Sequence, residues 1–270
     1  MTQKERADIL LFEQGKAASR EEARRLIMAG EVFCGTERVN KPGTRYPVER
    51  ALIVKAAPHP FVGRGGVKLQ RALDAFALEL CDRIVLDVGA STGGFTDCAL
   101  RAGARLVYAV DVGYGQLAWK LRNDPRVRVH ERTNFRHMAV DLLFPRPDVA
   151  VMDVSFISIQ KLLPKLGDVL LPDSPAVVLV KPQFEAGPDK VGKGGIVRDP
   201  ETHETVLRTI LAWLPGAGFA VRGLIPSPIL GGDGNVEFLL WLQSAPQARA
   251  PEVIDVEAVV ARAHEMKRNE

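Results

Sequence analysis

From about residue 64 onward, short β-branched runs recur between stretches whose apolar residues lie three and four positions apart. The runs predict strands at 84–88, 106–110, 127–129, 149–152, 176–180, about 219–224 and 236–242. Helices fall between most of them. One is expected over 67–80, and another before the sixth strand aligns Val206, Leu207, Ile210, Leu211 and Leu214 on a single stripe. Strands alternating with helices specify an α/β fold with a doubly wound parallel sheet. Only a short Pro/Gly-rich connection, residues 225–235, joins the last two strands, so they are expected to form a hairpin with an antiparallel edge. Residues 246–251 read as a tether to a final amphipathic helix carrying Val256, Val259, Val260 and Ala263 on one face.

The first sixty residues follow a different pattern. A short helix is expected over about 5–14, ending near Gly15. Ser19-Arg20-Glu21-Glu22 is a capping box that opens a second helix, with Ala23, Leu26, Ile27 and Gly30 on one face and Arg20, Arg24 and Arg25 toward the other. Short strands are expected around 32–33, 38–39 and 52–54, separated by Gly35 and by Lys41-Pro42-Gly43, before Pro58-His59-Pro60 breaks the pattern. Arg6-x-Asp8, Gly15, Ser19-Arg20, Ala23, Leu26-Ile27, Gly30, Val32, Gly35, Val39 and Lys41-Pro42 together resemble the S-four-type (αL) RNA-binding module. The resemblance implies RNA contacts through Arg6, Lys16, Ser19, Arg20 and Lys41. The expected organisation is a module at 1–57, a linker at 58–63, a main α/β domain at 64–245, and the tether and helix at 246–270.

Charge sharpens that division. Residues 1–60 hold 11 Lys/Arg against 8 Asp/Glu, while the remainder is balanced, so the net +3 of the 270-residue chain lies in the module. No apolar run approaches the roughly 18 residues a membrane helix needs, and the charged N-terminus lacks a signal-peptide core. Three scattered cysteines and five isolated histidines suggest neither a disulfide framework nor a metal site. A cytoplasmic protein is expected.

The glycine-rich segment running from Asp87 to Asp97 follows the first strand of the α/β domain and opens a helix. Glycines there let a backbone approach a ligand, with helix N–H groups facing it. Its Gly-x-x-x-Gly-Gly spacing departs from the dinucleotide pattern, and Phe95 stands where a phosphate-binding loop carries lysine. A third ligand, S-adenosyl-L-methionine, has no phosphate; its positive groups suit Asp87, and Asp111 after the second strand is placed for its ribose hydroxyls. Gly89, Ser91, Thr92, Gly93, Gly94, Asn134 and Asp153 complete the candidate cofactor residues.

Lys181 closes the most apolar strand and is followed at once by Pro182. Ligands in open parallel sheets sit outside the carboxyl ends of strands, where a lysine beside dry core can serve as a base. Asp153 follows the fourth strand on the same edge. Glu237 lies near the start of the last strand, which reaches that edge if the strand is antiparallel, and Lys68 opens the helix preceding the first strand. Two lysines and two carboxylates can thus converge.

These motifs resemble the TlyA family of ribosomal-RNA cytidine 2′-O-methyltransferases, some members of which are labelled haemolysins. The likeness covers Arg64-Gly65-Gly66-x-Lys68-Leu69, the segment from Asp87 to Thr96, that from Ala109 to Leu117, Arg132-Thr133-Asn134, that from Asp153 to Ser158, that from Lys181 to Glu185, and Gly192-Lys193-Gly194-Gly195. It implies a Rossmann-like methyltransferase sheet of seven strands with the last antiparallel. It also implies a Lys68-Asp153-Lys181-Glu237 tetrad, as in FtsJ-type enzymes, acting on ribosomal RNA within ribosomal subunits. Arg64, Arg132 and Arg136 are expected to meet RNA phosphates, and neither metal nor membrane is implicated. Lys181 could draw the hydroxyl proton or stabilise the developing alkoxide. The alternative is a non-catalytic ribosome assembly factor that binds RNA and S-adenosyl-L-methionine.

Overall fold

The computed structural model describes residues 3–55, 59–231, 234–244 and 252–268. The chain divides into two compact units, residues 1–64 and 65–270. The expected tether at 246–251 and the first residue of the expected linker, Pro58, lie outside the described residues.

The first unit runs β1 (Lys4–Arg6), α1 (Ala7–Glu13), α2 (Arg20–Ala29), β2 (Val32–Cys34), β3 (Glu37–Arg38), β4 (Arg45–Pro47) and β5 (Leu52–Val54). The first helix starts at Ala7, later than its apolar pattern suggests, because residues 4–6 pair antiparallel with β4. Neither β1 nor β4 has a sequence signal strong enough to announce a strand. The other three strands form a sheet in the order β3-β2-β5. Ser19 caps α2 as its spacing predicts, accepting from the Glu22 N–H at 3.1 Å, a contact worth about 1 kcal/mol. The Glu22 carboxylate reaches back one residue further than a standard capping box, to the N–H of Ala18. Ala7, Leu10, Leu11, Ala23, Ile27, Val32, Val39 and Leu52 form the small core.

The second unit runs α3 (Gly65–Phe76), β6 (Ile84–Val88), α4 (Gly94–Arg101), β7 (Leu106–Val110), α5 (Trp119–Arg122), β8 (Val127–His130), β9 (Val149–Met152), α6 (Leu163–Val169), β10 (Pro175–Val180), α7 (Pro182–Glu185), α8 (Pro200–Trp213), β11 (Phe219–Pro226), β12 (Phe238–Ser244) and α9 (Val256–Arg268). Its sheet has the order β11-β12-β10-β9-β6-β7-β8. β6, β7 and β9 are buried throughout, which is why they read as unbroken apolar runs rather than alternating ones. Leu86, Tyr108, Met152, Val178 and Phe238 stand in the core between this sheet and its helices.

Three expectations are corrected. The antiparallel strand is not an edge: β12 is inserted between β10 and β11 and pairs antiparallel with both, leaving β11 at the rim. With five of its seven residues buried, β12 suits an interior position better than a rim. The strand also begins at Phe238, two residues late; before it, the Gly231 N–H donates to the Asn235 carbonyl and the Ser227 N–H to the Glu237 carbonyl. The first helix of this unit, expected to reach residue 80, stops at Phe76, and Ala77 takes a left-handed conformation. Among the described residues, no helix is long and apolar enough to cross a membrane.

Candidate active site

The ligand-facing edge is built where the parallel strands end. After β6, the turn to α4 folds back sharply: Gly89 and Gly93 both adopt left-handed backbone angles. A Cβ on Gly89 would stand 2.4 Å from the Asp153 carbonyl oxygen, and one on Gly93 would stand 2.3 Å from a Leu121 methyl. These glycines are therefore required by the protein's own packing, a reason beyond the close ligand approach anticipated from their spacing. Gly94 begins α4, Thr92 is buried, and Ser91 is itself left-handed.

Acidic groups dominate this turn. Asp87 is fully buried, and Thr96 donates to its Oδ2 at 2.6 Å. Its Oδ1 is buried with no hydrogen-bond partner. Burial, reinforced by the neighbouring charges of Asp153 and Asp111, pushes the Asp87 carboxyl up to about 7. The Asp111 carboxylate accepts from the N–H groups of Ser91 (2.8 Å) and Gly113 (2.7 Å), which fixes its orientation after β7. An anionic phosphate would be repelled here, whereas a cationic ligand would relieve the strain on Asp87 and satisfy its orphaned oxygen. Among the described residues, no group of three or more His, Cys, Asp or Glu side chains is arranged to hold a metal ion.

Beyond this turn the edge carries two lysine–carboxylate pairs. Lys181, at the end of β10, is 9% exposed; its Nζ lies 2.6 Å from Asp153 Oδ1 and donates to Ser155 Oγ at 2.9 Å. Lys68, on α3, places its Nζ 2.5 Å from Glu237 Oε2, and both side chains are buried. The two pairs share a neighbourhood, because a Cβ on Gly65, in the first turn of α3, would stand 3.8 Å from Asp153 Oδ2. Glu237 reaches the edge from the turn before β12, with Val180 and Phe238 in register across the ladder. A Cβ on Gly231 would come within 2.4 Å of Glu237 Oε1, so the carboxylate is packed onto bare backbone.

Of the other candidates, Asn134 is exposed after β8, and its side-chain oxygen accepts from the Arg136 N–H, capping a short turn. Arg132 and Arg136 are exposed beside it. In the first unit, Arg6 and Arg20 converge on the buried carboxylate of Asp8, at 2.9 and 3.5 Å. Burial opposes ionisation of Asp8, but the Arg6 hydrogen bonds and the charges of Arg6 and Arg20 outweigh it and hold the carboxyl below its usual range. Lys16 and Lys41 are exposed, and the Arg64 side chain lies over Gly30.

The sequence reasoning missed Thr96, Ser155, Glu185, Gly231 and Asn235. Glu185 accepts from Ser158 Oγ (2.7 Å) and the Ile159 N–H (2.8 Å), tying the segment after Asp153 to the helix after Lys181. Asn235, almost fully buried, bridges the Val197 N–H and the Gly195 carbonyl. Thr96, Ser155 and Glu185 fall inside the motif segments quoted above, and Gly231 and Asn235 lie within six residues of Glu237, so membership of those segments and nearness to Glu237 were the signals that could have found them.

Residues 61–244 match the FtsJ-like methyltransferase family, and residues 5–50 match the S4 domain. The "16S/23S rRNA (cytidine-2′-O)-methyltransferase TlyA" of Mycobacterium tuberculosis is 44% identical over 90% of this chain and 91% of its own length. The chain belongs to the TlyA family of FtsJ-like methyltransferases. The "Putative rRNA methyltransferase YqxC" of Bacillus subtilis is 52% identical over 89% of this chain and 86% of its own. Among solved structures, the "Putative hemolysin from Streptococcus thermophilus" superposes with a TM-score of 0.79 at 45% identity, covering 100% of this chain and 98% of that one. The chain is thus an rRNA methyltransferase.

Proposed function

We propose that the protein transfers a methyl group from S-adenosyl-L-methionine to the 2′-hydroxyl of a cytidine in ribosomal RNA, working on ribosomal subunits in the cytoplasm. The observation that carries this reading is Lys181, held between Asp153 and Ser155 on the same strand-end edge as the carboxylate-rich turn. The relatives named for rRNA and cytidine methylation support the choice of substrate.

When bound, S-adenosyl-L-methionine supplies an electrophilic methyl group on a positively charged sulfur. Asp87 and Asp111 would hold its cationic and hydroxyl groups, and the turn of residues 89–94 would line it. Asp153 and Ser155 orient the Lys181 amino group, which meets the ribose oxygen as it gains charge. Lys181 would accept the hydroxyl proton or, as an ammonium, would stabilise the developing alkoxide while the proton passes to water. Lys68, buried against Glu237, adds a second fixed positive charge for the nucleotide. Alignment of hydroxyl and methyl supplies much of the acceleration, so a rigid edge matters as much as its charge. Residues 1–57, with Arg6 and Arg20 gathered on Asp8, grip the RNA.

The test is to incubate unmodified ribosomal subunits with the protein and isotopically labelled S-adenosyl-L-methionine, then map the label by mass spectrometry. Ribose methylation at cytidine, in one subunit or both, that disappears with Lys181→Ala is expected. Cofactor binding without any transfer would favour a non-catalytic assembly factor instead.

A further inference from the structure

We propose that Tyr114 and Arg132 form a stacking platform for an unpaired base of the RNA substrate. The inference rests on the RNA-methylating reading above and adds how that RNA is held. The Arg132 guanidinium lies over the Tyr114 ring, 4.1 Å from its centroid. Both side chains are exposed, Tyr114 at 65%, so the contact serves no core.

Backbone strain supports the assignment. Arg132 has φ +53°, a left-handed conformation disfavoured for a residue with a Cβ. It is held there because its N–H donates to the Gly113 carbonyl at 2.9 Å, while the Thr133 N–H donates to the Asp111 carbonyl at 2.9 Å. The Gly115 N–H donates in turn to Glu131 Oε1. The loops after β7 and β8 are thereby stitched into one body beside Asp111. A strained backbone that aims an exposed arginine points to function more than to stability.

Charge identifies the occupant. Nearby Arg122 and Arg126 are neutralised by Glu131 and Asp124. Among the described residues, no carboxylate pairs with Arg132 or Arg136. An exposed planar cation backed by an aromatic ring, with no carboxylate partner among the described residues, fits a nucleobase whose phosphates are close by. Because the stack pre-organises a long side chain, little freedom is lost when a base arrives.

The experiment compares binding of the full-length protein to a single-stranded oligocytidine 12-mer and to a blunt RNA duplex of equal length. Tyr114→Ala should raise the Kd for the single strand roughly 5- to 100-fold, the loss expected for one stacked base, and change that for the duplex less than about 2-fold. Tyr114→Phe, which keeps the ring, should bind like the wild type. Arg132→Lys, which keeps the charge but not the plane, should follow Tyr114→Ala. An unchanged single-strand Kd in Tyr114→Ala overturns the platform. So does wild-type binding by Arg132→Lys, which would reduce Arg132 to a phosphate contact. If Tyr114→Ala fails to fold, the Phe and Lys variants decide alone. Absence of methyl transfer to subunits by a wild-type protein that still shows the stacking preference would sink the functional reading and leave the platform standing.

Discussion

Lys68 Nζ and Glu237 Oε2 lie 2.5 Å apart, both side chains are buried, and 169 positions of sequence separate them. Removing one member of such a pair strands the other's charge in the interior, at a cost of about 3–5 kcal/mol. Glu237→Ala should therefore lower the melting temperature strongly and abolish transfer. Replacing both residues with apolar ones, as in Lys68→Met with Glu237→Leu, should restore most of the melting temperature and none of the activity. If activity returned with stability, the pair would be scaffolding alone.

Lys181 is held differently, by one carboxylate and one hydroxyl. Lys181→Ala is expected to reduce kcat by about 10²–10⁴-fold, the range for loss of an acid–base or oxyanion-stabilising group. Lys181→Arg should retain measurably more, since a guanidinium keeps the positive charge. Equal losses in the two variants, measured in single turnovers, would identify the lysine as proton acceptor.

Asp87 gives a pH signature to cofactor binding. Its carboxyl is raised to about 7 by burial and by Asp153 and Asp111, so the ligand-free protein carries it largely protonated below that pH. A cationic ligand prefers the ionised form, and binding must then release a proton. The Kd for S-adenosyl-L-methionine should fall by up to about tenfold per pH unit as pH rises toward 7, then level off. Calorimetry should show Asp87→Asn binding weakly with no such slope.

Glu185 should act as a positioning residue. Glu185→Ala removes the acceptor for Ser158 Oγ and the Ile159 N–H, with a stability loss of about 1–3 kcal/mol. The expected kinetic effect is roughly a tenfold loss in kcat with KM for the cofactor nearly unchanged, because alignment and not affinity is lost. Glu185→Gln retains an acceptor and should recover most of the rate. A KM effect in place of a kcat effect would rule the role out.

His203, buried on α8, hydrogen-bonds His264 of α9 at 2.9 Å. Burial first, then the positive charges of His264 and Lys267, lower its pKa to about 4. The folded protein therefore binds fewer protons than the unfolded one between pH 6.5 and 4. Its contribution to stability is complete above 6.5 and is lost as pH falls through that window. Melting temperatures from pH 7.5 to 4.5 should fall more steeply in the wild type than in His203→Gln.

Much of the scaffold was legible because its signals are local. Unbroken β-branched runs mark β6, β7, β9 and β10 to within a residue or two, since strands buried on both faces have no polar side to show. Ser19 announces α2 through a cap that needs only three residues to form. The weak elements were those whose formation depends on a distant partner. β1 exists because β4 lies beside it, and the two residues expected to open β12 lie in the turn before it, which holds Glu237.

The candidate site divides along the same line. The chain by itself determined which residue types end each strand: Asp87, Asp111, Asp153 and Lys181, each placed where an apolar run stops. The tertiary structure alone decided the pairing, giving Lys181 to Asp153 and Ser155, and Lys68 to Glu237. It also inserted the antiparallel β12 beside β10, which brings Glu237 to the edge, and set Glu185 across two loops. Hydrophobic period and turn chemistry act over a few residues and are written locally. Ion pairs between residues far apart in sequence leave no local mark and exist only once the sheet has closed around them.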